Sequence, residues 1–544
     1  MRPARSPRSW AALPVDPHRG RARHEGTAAL GRRGGQGARR AVQLPPLRAG
    51  VRADRGGQRD DLRGPPAEPG GDGTPGRDGG RKKGLCEQIT AEIAAEVERL
   101  AALAADSLGS SGTGLAAVEL AIRTAMMRLG ASLLGQLLAA DTGHRGPRID
   151  CGAGHHAAFV GYRDKNLDTV LGRVVVRRAY YHCTDCGHGN VPRDDDLGVT
   201  DASLSPGLRR MTARAAAAEP FATAADLLAE LAGIRLSDKR IERSAENDGA
   251  AAAARITAEA PAIASGTMAV LPAPADRGTP PDKLYIAVDG TGVPMVAAAV
   301  TDRAGKAPDG RARTREVKLA ALFTQTSLDD DGRPVRDPDS TSYLASFAPA
   351  AQFATLVAAE ARRRGADDIR QLVVLGDGAP WIWNLATTIA PEATPIVDLY
   401  HAREHLHGLA AGLTDTLGDA HPDWLAARLA DLDAGDIETL VTETERLPMN
   451  DDTATDTAKA LGYFKTNAHR MRYAYFRAHG LFVGSGVVEA GCKSLVGGRL
   501  KQSGMRWNIP GATGILTLRT HQASGRFDRI WTQPHNQTAT VATA

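Results

Sequence analysis

The first 84 residues carry no hydrophobic period and are rich in Gly, Pro and Arg. A stretch of that kind buries too little apolar surface to order itself, so 1–84 reads as a disordered basic leader. A helical period then starts: Ile89, Ile93, Val97, Leu100 and Leu103 recur at three- and four-residue spacing. After a Gly/Ser turn at 109–114, a second such run passes through "AAVELAIRTAMMRLGASLLGQLLAAD". The two runs predict a helical hairpin over 85–145, suited to packing or to pairing of chains. Between 149 and 195 the pattern turns β-rich, with "AFVGYR" and "TVLGRVVVRRAYYHC" around a glycine turn, and predicts a small β module. Helical periodicity returns over 203–265. From 283, the short apolar runs "LYIAVDG", "EVKLAALFTQ", "QLVVLGDG" and "TPIVDLYH" alternate with helical stretches. Alternation of that kind predicts an α/β core over 283–402, interrupted by a helical insertion at 403–479 and completed by 480–530. The polar end, 531–544, reads as a disordered tail.

Length and composition narrow this picture. A chain of 544 residues is long enough for three or four domains. Its 4% aromatic content fits Ala-rich helices better than a large all-β protein. No apolar run reaches the roughly 18 to 20 residues that span a bilayer. The Arg-rich N-terminus has no apolar core of a secretory signal, so the expected compartment is the cytoplasm, in association with the nucleoid. Net charge is +4, but residues 1–84 hold 19 Lys/Arg against 8 Asp/Glu, leaving 48 basic and 55 acidic residues in the rest. A nucleic-acid surface on the folded part must therefore be a local patch.

Two elements suggest ligands. Cys183-Thr-Asp-Cys186 follows a strand and precedes Gly187, a turn residue that lets two thiolates close on one ion. A structural Zn²⁺ needs four ligands, and upstream "IDCGAGHH" offers Cys151 with His155 or His156. His182 and His188 sit beside the knuckle rather than in it. Five cysteines in a long chain argue against a disulfide framework. The second element is "FATAADLLAELAGIRLSDKRIERSAENDGA", two helical runs joined at Gly233 with Ser237 as N-cap. Lys239, Arg240 and Arg243 near the start of the second run make it a helix-turn-helix candidate for DNA, with plain packing as the alternative.

The strongest chemical signal is acidic. Asp289 lies at the end of "LYIAVDG" and Asp377 at the end of "QLVVLGDG", each followed by Gly. Carboxylates on neighbouring strands form a hard oxygen site for Mg²⁺ or Mn²⁺. A third is expected from a helix, and "GSGVVEAGCKSLVGGRLKQSGMRWN" supplies Glu489. Lys493 shares its helical face at i+4. Arg499, Lys501 and Arg506 follow with Trp507, a set suited to a phosphate backbone and an unpaired base. Trp381 and Trp383 read as packing residues, and Lys318 as an exposed strand lysine.

The runs "LYIAVDGTGVPM", "VVLGDGAPWIWN", "DLYH" and "GSGVVEAGCKSLVGGRLKQSGMRWN" resemble the ISKra-type insertion-sequence transposases, DDE enzymes broadly similar to the Mutator-like transposases. The resemblance covers about residues 86 to 530. It implies an RNase H-like catalytic core, with catalytic and metal-binding roles for Asp289, Asp377 and Glu489. It further implies Mg²⁺-dependent hydrolysis at element ends and strand transfer into target DNA, carried out by a homo-oligomer. It adds an Asp-x-x-His pair, Asp398 and His401, that positions DNA or the site. Relatives carry a fuller cysteine set where this chain reads "CGAGHH", and the basic leader is outside the resemblance. Two rivals stand beside it: a non-catalytic DNA-binding protein derived from a transposase, and a zinc peptidase using His401, Glu404 and His405, with His407 nearby, in the H-x-x-E-H pattern.

Overall fold

The computed structural model describes residues 77–109, 114–270, 281–301 and 313–531. Most of the predicted leader and all but the first residue of the predicted tail lie outside the described residues. Contacts divide the described residues at Ala91, and the larger unit, from Glu92 on, carries both sheets and the sites described below. The helix set up by the apolar period at Ile89 begins at Arg77, so the end of the expected disordered leader is helical instead. Extending a helix adds one hydrogen bond per residue fixed, whereas starting one is costly, so a run can propagate into poorly patterned sequence.

That helix, α1 (Arg77–Gly109), is followed by α2 (Leu115–Ala139). Glu92 of α1 accepts hydrogen bonds from Ser132 and, at 2.6 Å, Gln136 of α2. A four-stranded antiparallel sheet comes next, in chain order: β1 (Arg148–Asp150), β2 (His156–Thr169), β3 (Gly172–His182) and β4 (Gly189–Asn190). Its apolar face packs Leu167, Val174 and Val176 against Ala131, Leu134 and Leu138 of α2. The short α3 (Pro192–Asp196) is tied to this sheet by Asp194, which pairs with Lys165 at 3.1 Å and Arg178 at 2.5 Å.

Three helices lead onward: α4 (Pro206–Ala218), α5 (Phe221–Ala232) and the long α6 (Asp238–Ala264). Gly233 ends α5 at φ +68°, a left-handed conformation that favours glycine, and the Ser237 side chain caps α6 by accepting from the Arg240 N–H.

The second sheet is mixed. Its five strands are β5 (Lys283–Pro294), β6 (Thr314–Gln325), β9 (Ser342–Ser346), β10 (Gln371–Gly376) and β11 (Thr394–Val397), while β7 (Ser327–Leu328) and β8 (Pro334–Val335) form a separate small hairpin. Spatial order is β11-β10-β5-β6-β9. β5, β10 and β11 run parallel; β6 and β9 continue the sheet through antiparallel pairs. Leu284 to Val288 are all buried, the continuous apolar run of a strand covered on both faces. Helices α7 (Ala350–Arg363) and α8 (Pro380–Ile389) flank it and share its core.

After β11 the chain is helical: α9 (Leu399–Gly412), α10 (Thr414–Leu417), α11 (His421–Ala434), α12 (Ile437–Glu445), α13 (Asp451–Asn467) and α14 (Tyr473–Ala478). It returns to the sheet as α15 (Gly486–Gly491), a π-helical turn over Cys492–Gly497, α16 (Gly498–Leu500) and α17 (Ile509–Ala523). α17 crosses α6 where two glycines meet: a Cβ on Gly249 falls 2.2 Å from the Gly514 carbonyl oxygen. Any side chain there forces the helices apart. The whole is a mixed α/β protein, and no helix among the described residues is long and apolar enough to cross a membrane.

Candidate functional site

Asp289 sits within β5 and Asp377 just beyond β10, on neighbouring parallel strands. The pairing runs to Leu375 opposite Ala287, and each aspartate lies two residues further on. Alternation returns to the same face every two residues, so the two are at matching positions on one side of the sheet. The Asp377–Gly378 turn is held from the helical segment: Gly378 has φ +98°, and the Tyr463 hydroxyl of α13 donates to the Asp377 carbonyl at 3.0 Å. The Asp377 carboxylate accepts from the Ala379 N–H at 2.8 Å.

The third acid is presented by α15. Glu489 lies 3.6 Å from Lys493 across one helical turn and 3.5 Å from the Ser485 hydroxyl. Immediately after it the helix widens into the π turn, a feature often found where a helix must re-aim side chains at a site. That turn brings Cys492 against the Asp289 carboxylate and places Lys501 by hydrogen bond on Thr291, two residues past Asp289.

Asp398 and His401 complete the centre. Asp398 is fully buried as the N-cap of α9; it accepts from the backbone N–H of His401 at 2.8 Å and from that of Ser485. The His401 ring lies 3.4 Å from Asp398 and 4.0 Å from Glu489. Asp398, His401 and Glu489 each offer a ligand atom within 4.8 Å of the others. That grouping differs from the expected metal triad: among the described residues Asp289 and Asp377 face each other across the strand pair but fall outside the tight cluster. Like charges in a half-buried cleft resist close approach unless a cation joins them.

The electrostatics fit such a centre. Burial raises the Asp289 carboxyl, the Cys492 thiol and Gly290 N–H oppose this, and the Asp377 charge raises it further. Burial also works to raise Asp398, but hydrogen bonds from His401 and Ser485 outweigh it and hold its carboxyl low. His401 is pushed up to about 9, first by its hydrogen bond to Asp398, with Asp377 and Glu404 adding to the pull. It is an imidazolium at neutral pH. The Cys492 thiol is pushed far up by burial and by Asp289, so it stays protonated.

The basic run divides in two. Lys493, Lys501 and Arg506 are exposed, and the first two lie at the centre. Arg499 and Trp507, expected to meet phosphate and base, are 0% and 6% exposed. Arg499 donates to the Ala216 carbonyl and stacks on Phe221 and Trp507, so these two residues join α16 to the α4–α5 helices and cannot reach a ligand as they stand. Lys318, expected on an exposed strand, is buried: it pairs with Gly290 in the sheet, contacts Glu316 at 3.0 Å and lies over Trp381. Trp383 is buried in the core. Sequence reasoning did not single out Ser485, Cys492 or Tyr463; Ser485, four residues before Glu489, and Cys492, three after it, had a usable signal in their spacing.

In the helix-turn-helix candidate, Lys239 and Arg243 are exposed. Arg240 is occupied by Asp168 at 2.7 Å, which anchors α6 to β2. The peptidase pattern does not assemble. His405 stacks on Tyr463 at 3.8 Å, and no ligand cluster among the described residues includes it.

A second cluster lies in the antiparallel sheet. Cys151, His155, Cys183 and Cys186 bring ligand atoms within 4.8 Å of one another, from the turns after β1 and β3. Backbone bonds from Cys151 N–H to His155 O (3.0 Å) and from Cys183 N–H to His188 O (2.9 Å) shape the two knuckles. His156 starts β2 outside the cluster, so His155 is the ligand candidate. The Cys151–Cys186 sulfur separation is 3.8 Å, the spacing expected of two thiolates on one tetrahedral zinc at about 2.3 Å each. Cys151 is lowered to about 7, first by a hydrogen bond from the Ala153 backbone, so one thiolate is available near neutral pH.

No family model and no curated protein matches the chain. Among solved structures, a Drosophila P element transposase strand transfer complex aligns over 62% of this chain and 83% of its own, with 10% identity and a TM-score of 0.20. A superposition that loose carries no argument about fold or function.

Proposed function

We propose that this protein is a DNA transposase that cuts element ends and joins them to target DNA, with Asp289, Asp377 and Glu489 as its metal-binding acids. The observation that carries the reading is the matched register of Asp289 and Asp377 on adjacent parallel strands, with Glu489 delivered by α15. The strand order supports an RNase H-like core: numbered within the sheet alone it is 3-2-1-4-5, with the second strand antiparallel. The helical segment α9–α14 is then an insertion between the second and third acids. The resemblance to the ISKra-type family points the same way.

The three carboxylates are hard oxygen donors and fit Mg²⁺ or Mn²⁺. A bound metal pair supplies Lewis-acid activation of water or a 3′-hydroxyl and stabilisation of the leaving oxygen. The protein's own groups do the rest. Asp289 and Asp377 are fixed by a buried sheet, and Tyr463 holds the turn beneath Asp377. The His401 imidazolium, locked by Asp398, steadies Glu489 beside it. Lys493 and Lys501 face the approach to the acids and can orient phosphate. In this reading α4–α6 contact DNA through Lys239 and Arg243, two chains act together on two ends, and the cysteine–histidine cluster holds a structural Zn²⁺.

The test is Mg²⁺-dependent nicking of labelled element ends by the wild type and by Asp289→Ala, Asp377→Ala and Glu489→Gln. Equal activity in all four overturns the assignment. For the zinc, the purified chain should carry one equivalent, lost in Cys183→Ser.

A further inference from the structure

Residues 85–544 are mildly acidic as a whole, yet the β9 edge of the mixed sheet gathers arginines. At its base is Glu360 of α7, 1% exposed. Arg526, just past α17, places a guanidinium nitrogen 2.9 Å from that carboxylate, and Arg364 lies 3.7 Å from it. Arg364 also donates to Ser342 of β9 at 2.9 Å. Arg363 reaches Glu259 at 3.6 Å. Burial depresses both Arg363 and Arg364, Glu360 opposes this, and the charges of Arg526 and Arg529 depress them further. On the other flank Arg210 pairs with the exposed Asp528 at 2.6 Å, and Arg214 lies over Phe527 at 5.0 Å.

Four guanidiniums thus pair with Glu259, Glu360 and Asp528, with Arg214 and Arg529 beside them, a local excess that the average charge of the folded part does not predict. Mutual repulsion makes such a gathering costly unless an anion offsets it. The arrangement is graded: Arg364 and Arg526 are locked by Glu360 and Ser342, while Arg210, Arg214 and Arg529 are exposed, Arg210 with Asp528 as its partner. A rigid inner layer under an exposed outer one suits a ligand with repeated negative charge. Guanidinium forks match phosphate oxygens in pairs.

We infer that this arginine edge docks the phosphate backbone of duplex nucleic acid, as a surface separate from the carboxylate centre. The choice of nucleic acid over another polyanion rests on the transposase reading; the existence of the surface does not. Through the register Ser342–Leu322–Ile286, its base lies two strands from β5 and three residues back from Asp289. That odd offset puts the Ser342 side chain on the face of the sheet opposite the acids, about 10 Å along and about 10 Å across it.

The experiment is a salt titration of binding between the full-length chain and a mixed-sequence DNA duplex with no Mg²⁺ or Mn²⁺ added and no chelator, so that metal-dependent cleavage does not intervene and the cysteine–histidine cluster keeps its zinc. In Arg214→Glu/Arg529→Glu, affinity at low salt should fall about tenfold or more. The slope of log affinity against log salt should shrink by roughly two, close to one per lost phosphate contact. Arg214→Lys/Arg529→Lys should keep the slope, and Arg214→Gln alone should lose about half of the change. Thermal melting confirms that each variant is folded. Unchanged affinity and slope in the Glu and Gln variants overturn the inference, as does wild-type binding to polyglutamate or anionic vesicles as tight as to DNA. Wild-type nicking with Mg²⁺, measured separately, tests the catalytic reading alone, so either proposal can fail without the other.

Discussion

The carboxylate centre and the arginine edge are built on one sheet and treat buried charge in opposite ways. At the first, Asp289, Asp377, Asp398 and Glu489 concentrate negative charge around one imidazole; at the second, arginines surround one glutamate. Two histidines register the difference. His401 is pushed up to about 9 beside the carboxylates, while His521 on α17 is pushed down to about 4, by burial first and then by Arg526 and Arg255. The same side chain is an acid in one place and a neutral ring in the other. What differs is how deeply the ring is buried and which charges and hydrogen-bond partners the fold brings near.

The sharpest way to break this comparison is to remove the most deeply buried counter-charge. Glu360→Gln leaves Arg526 and Arg364 unpaired in a buried site and should cost about 3–5 kcal/mol, read by urea denaturation. If stability is unchanged, the arginine edge is not organised by Glu360. Next in size, Asp289→Ala or Asp377→Ala should lower metal-dependent nicking by roughly a hundredfold to a thousandfold, the scale of losing one preorganised transition-state contact. Their melting temperatures should not fall, because removing either aspartate relieves repulsion. A smaller effect is expected of Asp398→Asn, which weakens the acceptor for the Ser485 and His401 N–H groups: about 1–3 kcal/mol of stability.

The finest test is pH. His401 has a raised folded pKa, so its contribution is complete below the unfolded value of 6.5 and is lost as pH rises through about 9. His521 has a depressed one, so the unfolded chain takes up the proton first, and stability is lost as pH falls from 6.5 toward about 4. Ring titrations by NMR should therefore move apart, and His521→Gln should flatten only the acid limb. Two rings titrating together near 6.5 would erase the distinction between the regions.

Sequence patterning was informative where structure is local. The apolar run of β5 shows in "LYIAV", the Gly233 and Ser237 signals mark the end of α5 and the start of α6, and Cys183-x-x-Cys186 is a self-contained turn. Glu489 and Lys493 share a helical face by spacing alone, and they are 3.6 Å apart. Long-range placement was not readable in this way. Arg499 and Trp507 belong to a basic run that looks solvent-facing, but α16 tucks under α4 and α5 and buries both. Lys318 alternates like an exposed strand lysine, yet the sheet is covered where it lies.

Local spacing along the chain determined the mixed α/β class, the knuckle cysteines, and the choice of two aspartates that follow apolar strand runs as metal-site candidates; β5 itself continues past Asp289 to Pro294. Only the tertiary structure decided that those aspartates share a register, that Cys492 and Lys501 crowd Asp289, and that arginines from α4, α7 and the end of α17 meet at one edge. Periodicity reports which face of an element is apolar. Which faces meet depends on strand order and helix crossing, and side chains more than a hundred residues apart leave no trace of that in their spacing.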